Sequence, residues 1–326
     1  MTGDIQPVTS IDDRDAVREE ADGGDAVCAV IVTYHPDLMR LQALIESVVD
    51  QASKVVIVDN GSAAEALNVI RDVALRLKME LIEFGENRGI AAAHNAGIHF
   101  AIAQKFSYVL LLDHDSRLQP GCLPQLLQAS RRLTDAGIKV AAVGPQYVDE
   151  TSMQRSFFLR FSRWGLRKVF VENAGDVIEA SLIISSGSLI AVDALHAIGL
   201  MDETLFIDGV DWEWCFRASA RGYRLFGVAA AVMQHNLGDS GVPVLGRAVS
   251  LHSPLRHYYM YRNTVLMCKM KQIPLVWKPY VLSRLVLRFC IYMILAPQRR
   301  ERCKMILRGV YDGLRGRSGP IAQPIR

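Results

Sequence analysis

The sequence lacks the glycine motifs that mark two common nucleotide sites of α/β proteins. No G-x-G-x-x-G pattern opens the first helical segment, and no G-x-x-x-x-G-K-[ST] pattern occurs along the 326 residues. The glycines of residues 85–97 have a different spacing, and the small residues there favour close helix packing beside a ligand. Dinucleotide-dependent dehydrogenases and P-loop nucleotide hydrolases are therefore disfavoured, and we expect no nicotinamide binding.

Cysteine is scarce and is never spaced as a C-x-x-C motif. Several of the six cysteines lie in apolar runs, where a free thiol behaves as a small hydrophobic group. This usage favours a reduced, cytoplasmic setting over a disulfide-linked secreted one.

Long uncharged apolar runs are also missing. The nearest candidate, residues 273–297, is interrupted by Lys278, Arg284 and Arg288, so it falls short of the roughly 18 apolar residues that a spanning helix needs. Two interpretations remain open: a segment in a bilayer interface with its cations toward lipid phosphates, or a buried pair of C-terminal helices. Residues 1–26 lack the pattern of a signal peptide, and their acidic composition predicts a disordered lead.

The charge is unevenly distributed along the chain. Half of the residues are hydrophobic and 22% are charged, which is enough apolar material for a full core. Residues 251–326 hold 15 Lys and Arg against 2 Asp and Glu, which leaves 22 against 32 in the rest. We therefore expect a folded, acidic body over residues 27–250 and a basic helical region over residues 251–326, with no nucleic-acid partner.

Continuous apolar runs alternate with helical patterns in the body. Continuous rather than alternating hydrophobicity predicts strands that are covered on both faces. Helical spacing follows Asp37 and again Gly121, and this alternation predicts an α/β fold with a doubly wound, mostly parallel sheet. The predicted strands cover residues 29–34, 54–60, 79–84, 108–113 and 140–145.

The second half of the body is less regular. The pattern weakens over residues 144–170, which we interpret as a surface excursion. Residues 179–199 predict a strand, a Ser-Ser-Gly turn and a helix, and a short strand precedes His235. This division gives a nucleotide-binding half at about 27–120 and an acceptor-side half at about 140–250.

Polar residues follow three of the predicted strands, where ligands bind in open α/β sheets. They are Thr33 with Tyr34, Asp59 with Asn60, and Asp113 with Asp115. In an extended chain Asp113 and Asp115 would point together and His114 away, and paired carboxylates suit Mg²⁺ or Mn²⁺ bound to a diphosphate. A turn or helix-capping role is the alternative, and the two aspartates alone favour it.

A second acidic group lies in FIDGVDWEWCFRA, where Asp208, Asp211 and Glu213 alternate with Trp212 and Trp214. A carboxylate that is partly shielded from water has a raised pKa and can accept a proton from a hydroxyl. An acidic helix start that complements the helix dipole is an equally good interpretation of these residues alone. His235 is a candidate third metal ligand or a hydrogen-bonded structural residue.

Together these segments resemble inverting family 2 glycosyltransferases of the GT-A fold, whose sheet is Rossmann-like. The resemblance narrows to bacterial rhamnosyltransferases that use dTDP-L-rhamnose, and within them to those that convert mono-rhamnolipid to di-rhamnolipid. It covers nearly everything after residue 26, and its blocks occur in the family's order: VIVTYHPD, VIVDNGS, ENRGIAAAHNAGI, LLLDHDS, ISSGSLI, FIDGVDWEWCFRA, QHNLGDS and HYYMYRN.

The resemblance implies roles for individual residues. Asp211 matches the catalytic base, but relatives often have glutamate where this chain has Val210, so Asp208 and Glu213 remain rivals. Asp113, Asp115 and His235 would hold Mg²⁺ or Mn²⁺. The implied nucleotide-sugar contacts are Thr33, Tyr34, Asp59, Arg88, Asn95, Asp113, His114 and Asp115, and the implied donor-sugar and acceptor contacts are Ser186, Gly187, Trp212 and Glu213.

The implied donor is dTDP-L-rhamnose, and the implied acceptor is an amphipathic glycolipid at the inner face of the cytoplasmic membrane. A rhamnosyltransferase of O-antigen or cell-wall glycan assembly is the alternative, because the basic C-terminal region would serve a lipid-linked glycan equally well. A non-catalytic nucleotide-sugar-binding subunit of a membrane synthase is a third hypothesis. It is disfavoured because Asp113, Asp115 and Asp211 are all present.

Overall fold

The computed structural model describes residues 26–149, 155–162, 165–171, 173, 175–235, 241–244 and 247–321. The expected acidic lead therefore lies outside the described residues, apart from Ala26.

A nine-stranded mixed sheet forms the centre of the described chain, in the order β3-β2-β1-β4-β10-β6-β11-β5, with β9 paired to β11. The pairs β1–β2, β1–β4, β2–β3 and β6–β11 are parallel, whereas β5, β9 and β10 run antiparallel to their neighbours. The strands are β1 (Val27–Thr33), β2 (Lys54–Asp59), β3 (Glu80–Glu83), β4 (Tyr108–Asp113), β5 (Ser116–Leu118), β6 (Val140–Asp149), β9 (Val177–Ala180), β10 (Leu189–Ala191) and β11 (Arg224–His235). This arrangement confirms the predicted α/β class.

Helices cover both faces of this sheet, which explains the continuous apolar runs of the strands. All seven residues of β1 are buried, and alternate residues such as Val30 and Ile31 belong to hydrophobic clusters on opposite faces. The covering helices are α1 (Leu38–Val48), α2 (Ala64–Arg76), α3 (Ile90–Ala103), α4 (Cys122–Asp135), α5 (Val192–Ile198) and α6 (Val210–Ala220). Asp37 caps α1 by accepting from the backbone N–H groups of Met39 and Arg40 at 2.9 and 3.2 Å.

The prediction for residues 144–170 was wrong in part. Strand β6 continues to Asp149, and an antiparallel hairpin follows, formed by β7 (Phe158–Ser162) and β8 (Gly165–Val169). Phe158 is buried in the core, where its ring fills the space beside Gly227. The mixed aromatic and basic composition hid this strand because only some of its side chains face the core.

The basic C-terminal region forms three helices: α7 (Pro254–Lys269), α8 (Trp277–Leu295) and α9 (Arg299–Leu314). Met267, Ile273 and Trp277 join the core of the sheet, while Leu285 and Tyr292 centre a smaller cluster among the helices themselves. A two-stranded hairpin, β12 (Gly241–Val244) with β13 (Arg247–Ser250), precedes α7. Across the described ranges, no helix combines the length and the apolar composition needed to cross a membrane.

Candidate active site

A cavity of about 800 Å³ opens where β1, β2 and β4 end. One side is formed by residues at and after the ends of these strands and of β3, and we name it the strand-end wall. The opposite side is formed by one face of α7 and one face of α8, and we name it the helical wall. The residues of the strand-end wall include Val32, Tyr34, Asn60, Asn87, Gly89, Asp113, His114 and Asp115. The residues of the helical wall are His252, Arg256, Met260, Asn263, Thr264, Met267, Trp277, Val281, Leu285 and Arg288.

Thr33 and Asp59 lie behind the strand-end wall instead of facing the cavity. The Thr33 hydroxyl donates to Asp59 Oδ1 at 2.9 Å, and Asp59 Oδ2 accepts from the N–H groups of Gly61 and Ser62 at 3.1 and 2.9 Å. Both side chains are fully buried. These bonds shape the turn after β2, and neither side chain lines the cavity, so their contact with the nucleotide stays a prediction.

Asn60 and Asn87 line the cavity in their place. The Asn60 amide donates to Asn87 Oδ1 at 3.1 Å, and Asn60 Oδ1 accepts from the backbone N–H of Arg88 at 2.8 Å. The Arg88 guanidinium stacks over the Phe84 ring at 4.7 Å and is not part of the lining. Sequence analysis missed Asn87, although its place one residue before Arg88 in the ENRG segment gave a signal for it.

Asn95 also faces away from the cavity. Its amide donates to the Met201 carbonyl at 3.0 Å and to Glu203 Oε1 at 2.8 Å, and its oxygen accepts from the Met201 N–H at 2.9 Å. The side chain is 4% exposed. These bonds fix the segment that leads to α6, so the expected contact with ribose or diphosphate is not supported by the geometry.

The Asp-His-Asp segment forms a turn between β4 and β5. Because the chain turns at His114 and Asp115, the predicted extended geometry is wrong, and all three side chains line the cavity. The backbone N–H of Asp113 donates to Ser186 Oγ at 2.9 Å, and the hydroxyls of Ser186 and Ser116 are 2.8 Å apart. These bonds fix the position of the Asp-His-Asp turn.

Ser186 and Gly187 therefore support the turn and do not line the cavity. Ser186 is 1% exposed, and its carbonyl accepts from the Tyr147 hydroxyl at 2.9 Å. Gly187 has a φ of +81°, and a Cβ there would lie 2.7 Å from the Pro145 ring, so only glycine fits. The neighbouring Ser185 lines the cavity. The implied contacts of Ser186 and Gly187 with the donor sugar and the acceptor stay a prediction.

Asp113 and Asp115 supply the oxygen ligands that Mg²⁺ and Mn²⁺ prefer. Among the residues whose side chains the structure describes, no group of three or more His, Cys, Asp and Glu side chains forms a complete metal site. The His235 side chain lies outside that set, but its backbone pairs with Ser116 next to the Asp-His-Asp turn. The donor set fits a hard divalent cation whose coordination a diphosphate would complete.

Asp211 is the second residue of α6 and lines the cavity. Removal from water raises the pKa of its carboxyl to about 7; the Trp212 backbone N–H opposes this shift, whereas the nearby charges of Asp208 and Asp113 add to it. A carboxyl that titrates near neutrality accepts a proton efficiently from a hydroxyl. Trp212 also lines the cavity and meets Trp277 edge to face, with 6.0 Å between ring centroids.

The two rival acids differ from Asp211 in their partners. Asp208 lines the cavity but pairs with Arg256, whose Nε lies 3.2 Å from Oδ1. Glu213 is 1% exposed and is absent from the lining, and its carboxylate binds Arg217 at 2.8 Å and Gln272 at 3.0 Å. Glu213 therefore contacts Arg217 and Gln272 and does not line the cavity, and its role as a rival base and acceptor contact stays a prediction.

Asn263 of α7 is a site residue that sequence analysis quoted only as part of a family block. Its amide nitrogen lies 2.7, 2.6 and 2.9 Å from the carbonyl oxygens of Leu205, Ile207 and Asp208. The adjacent Arg262 also donates to Leu205 O at 3.1 Å. Hydrogen bonds from α7 therefore fix the 205–209 loop in place. This loop leads directly to Asp211.

Comparison with known proteins identifies the family. Residues 28–199 match the family described as Glycosyl transferase family 2. This chain belongs to glycosyl transferase family 2. It is 31% identical over 294 residues to the dTDP-rhamnosyl transferase RfbF of Shigella flexneri, covering 90% of this chain and 97% of that protein. It is also 25% identical to the galactofuranosyltransferase GlfT1 of Mycolicibacterium smegmatis, over 73% of this chain and 82% of that protein.

Solved structures share the fold of this family 2 member at low sequence identity. S. aureus TarS 1–349 in complex with UDP-GlcNAc has a TM-score of 0.55 and 14% identity, covering 90% of this chain and 81% of TarS 1–349. GalNAc-T7 with UDP, GalNAc and Mn²⁺ has a TM-score of 0.58 and 13% identity, covering 89% of this chain but 56% of that one. The predicted GT-A-like architecture is therefore confirmed.

Proposed function

We propose that this glycosyltransferase moves L-rhamnose from dTDP-L-rhamnose to a sugar hydroxyl of a growing O-antigen or cell-wall glycan. The observation that carries the proposal is the meeting of Asp113, Asp115 and Asp211 in one cavity, in a chain similar to RfbF along 97% of that protein. The similarity supports a glycan acceptor over the mono-rhamnolipid acceptor that the sequence resemblance implied. The mono-rhamnolipid acceptor stays a prediction, and the product assay below tests it.

In the proposed reaction, the acceptor oxygen attacks the anomeric carbon of rhamnose from the face opposite the leaving diphosphate. The new bond joins this oxygen to the anomeric carbon, the bond from that carbon to the phosphate oxygen breaks, and dTDP leaves with the electron pair. Asp211 takes the proton of the acceptor hydroxyl. Asp208 forms an ion pair with Arg256, whereas Asp211 forms none with the residues that the structure describes, so Asp211 is the base in this mechanism.

A divalent cation, Mg²⁺ or Mn²⁺, belongs to this proposal. Asp113 and Asp115, with His235 as a further candidate ligand, would hold it. When bound, such an ion supplies positive charge that stabilises the departing diphosphate. The chain's own contribution is the Asp-His-Asp turn, which Ser186 and Ser116 fix in place from below.

We also propose that the enzyme works in the cytoplasm, at the inner face of the cytoplasmic membrane. The outer face of α8 exposes apolar side chains at helical spacing, including Leu282, Val286 and Ile294, of which Val286 and Ile294 are each 65% exposed. This helix belongs to the basic C-terminal region, which holds 15 Lys and Arg against 2 Asp and Glu. Apolar area next to cations matches an anionic bilayer surface.

Vesicle flotation tests this membrane contact. The full chain should float with anionic vesicles, whereas V286Q/I294Q should float much less. L75Q is the matched control, because Leu75 is 82% exposed on α2, far along the chain from α8. Equal flotation of both variants with the unaltered protein would reject a bilayer contact through α8.

Mass spectrometry of reaction products tests the proposed transfer. Purified protein, dTDP-L-rhamnose and Mg²⁺ or Mn²⁺ are incubated in parallel with lipid-linked glycan acceptors and with mono-rhamnolipid. The proposal predicts a glycan product heavier by one deoxyhexose and little di-rhamnolipid. Transfer to mono-rhamnolipid alone would restore the rhamnolipid function, and the absence of both transfer and donor hydrolysis would reject dTDP-L-rhamnose as the donor.

A further inference from the structure

The helical wall of the cavity carries a group of basic residues, of which the proposed mechanism uses only Arg256, in its ion pair with Asp208. Arg256 of α7 and Arg288 of α8 both line the cavity, together with His252 just before α7. On α8, Trp277, Val281, Leu285 and Arg288 follow each other at spacings of four, four and three residues, so they share one face. The cavity-facing stripe of this helix is therefore apolar along most of its length and ends in a guanidinium.

Arg288 makes no hydrogen bond or ion pair with any other residue in the described ranges, although it is half-buried. Arg256 differs from it, because its Nε lies 3.2 Å from Asp208 Oδ1. A guanidinium held in a cavity loses hydration that an anionic ligand can replace with charge-assisted hydrogen bonds.

Further positive charge lies just behind this wall. Arg302 of α9 is 4% exposed; one of its nitrogens lies 3.3 Å from His257 Nδ1 and also bonds the His252 carbonyl. Burial, together with the charges of Arg302, His252, Arg288 and Arg256, lowers the pKa of His257 to about 4. The His257 imidazole is therefore neutral, and the three guanidinium groups of Arg256, Arg288 and Arg302 outnumber the carboxylate of Asp208, which pairs with Arg256.

We propose that this cationic end of the helical wall binds a phosphate or diphosphate group carried by the acceptor. The inference rests on the proposed transferase function and deepens it, since it names the chemical class of the acceptor. The cavity would then hold two anions at separate positions, one from the donor and one from the acceptor. The donor diphosphate belongs with Asp113 and Asp115 at the strand-end wall, and the acceptor phosphate belongs with Arg288, Arg256 and His252.

Calorimetric titration of the full chain with inorganic pyrophosphate and with farnesyl diphosphate, both in EDTA, tests the subsite without a metal at the donor position. R288Q should weaken binding of both probes about tenfold, the effect of losing a charged hydrogen-bond donor. R284Q is the matched control, because Arg284 lies one turn earlier on α8, is exposed, stacks over Tyr280 and does not line the cavity. R284Q should bind within about twofold of the unaltered protein, and R288K should retain part of the affinity.

Three results would overturn the inference: no binding of either probe by the unaltered protein, equal affinities of R288Q and R284Q, or an R288Q variant that loses affinity for dTDP in Mn²⁺. The last result would assign the cations to the donor diphosphate. Tighter binding of farnesyl diphosphate than of pyrophosphate would indicate a lipid-linked acceptor, and equal binding a soluble sugar phosphate. Hydrolysis of dTDP-L-rhamnose by the same preparations separates this test from the proposed function, because it does not involve the acceptor.

Discussion

The strand-end wall is built mainly from short polar segments after β1, β2, β3 and β4, whereas the helical wall is built mainly from one face each of α7 and α8. The first wall lies within residues 28–199, the range that matches glycosyl transferase family 2, and the second lies beyond that range. The first presents carboxylates and amides, and the second presents arginines beside apolar side chains. In the proposed reaction, the part of the chain that matches the family supplies the groups for a metal-bound nucleotide, and the C-terminal region supplies the surface that distinguishes acceptors.

The 205–209 loop joins the two walls. Gly89 of the strand-end wall has a φ of +92°, and a Cβ there would lie 2.6 Å from the Phe206 carbonyl. From the other side, Asn263 of the helical wall bonds three carbonyls of the same loop. Asp211 therefore depends on both walls for its position, which explains why its environment could not be deduced from α6 alone.

The largest expected loss of turnover follows replacement of Asp211, the proposed base between the two walls. D211N should lower turnover by about 10²- to 10⁴-fold, the usual contribution of a general base, while affinity for dTDP-L-rhamnose stays unchanged. Steady-state rates and calorimetry measure the two quantities. D193N is the matched control, because Asp193 is also the second residue of a helix but is exposed. Preserved turnover in D211N would move the role to Asp208.

Removing the carboxylates of the strand-end wall should weaken donor binding about 100-fold in the presence of Mn²⁺, since both proposed metal ligands are lost. The D113N/D115N variant is compared with the unaltered protein by titration with dTDP, in Mn²⁺ and in EDTA. The difference should nearly disappear in EDTA. An equal loss in both conditions would reject the metal assignment.

Removing the Asn263 bonds between the 205–209 loop and the helical wall should lower turnover by an intermediate amount. N263A removes the amide that bonds the carbonyls of Leu205, Ile207 and Asp208, although Arg262 still donates to Leu205. We therefore expect turnover to fall about tenfold to 100-fold and donor KM to change little. Asn263 acts through Asp211 as a positioning residue, so the pH of half-maximal activity should also shift. N68A, an exposed change on α2, controls for losing an asparagine. A thermal shift without any kinetic change would make Asn263 purely structural.

The pH dependence of activity should report the shielded environment of Asp211. Because the pKa of its carboxyl is raised to about 7, the base form is lost as the pH falls. We therefore expect kcat/KM to drop about tenfold for each pH unit below about 7. A profile that stays flat down to pH 5 would contradict a base with a raised pKa.

The smallest expected effect is on stability. The pKa of Asp211 is about 7 in the folded protein and about 3.8 when solvated, so the folded state binds a proton more tightly and loses stability as the pH rises from about 4 to 7. D211N removes this penalty and should stabilise the fold at pH 8 on the order of 2 kcal/mol, with no gain at pH 4. Thermal melts at both pH values measure the difference. A gain of equal size at pH 4 would contradict the linkage.

Sequence patterns predicted the strand-end wall better than the helical wall. Continuous apolar runs placed β1, β2 and β4 correctly, and parallel pairing then brought their ends together. The patterns could not show that Thr33 and Asp59 bond each other instead of a ligand, because their residue types suit both roles. Contacts such as Ser186 with Asp113, or Asn263 with Leu205, join residues more than 50 positions apart, and local periodicity carries no information about them.

Hydrogen–deuterium exchange of the full chain with dTDP-L-rhamnose and Mn²⁺ tests the division between the two walls most directly. We expect slower exchange in peptides that contain residues 58–61, 85–90 and 113–116. Peptides of α8 should exchange at the same rate with and without the donor. Protection confined to α7 and α8, with none at the Asp-His-Asp turn, would place the donor on the helical wall and contradict the assignment of that wall to the acceptor.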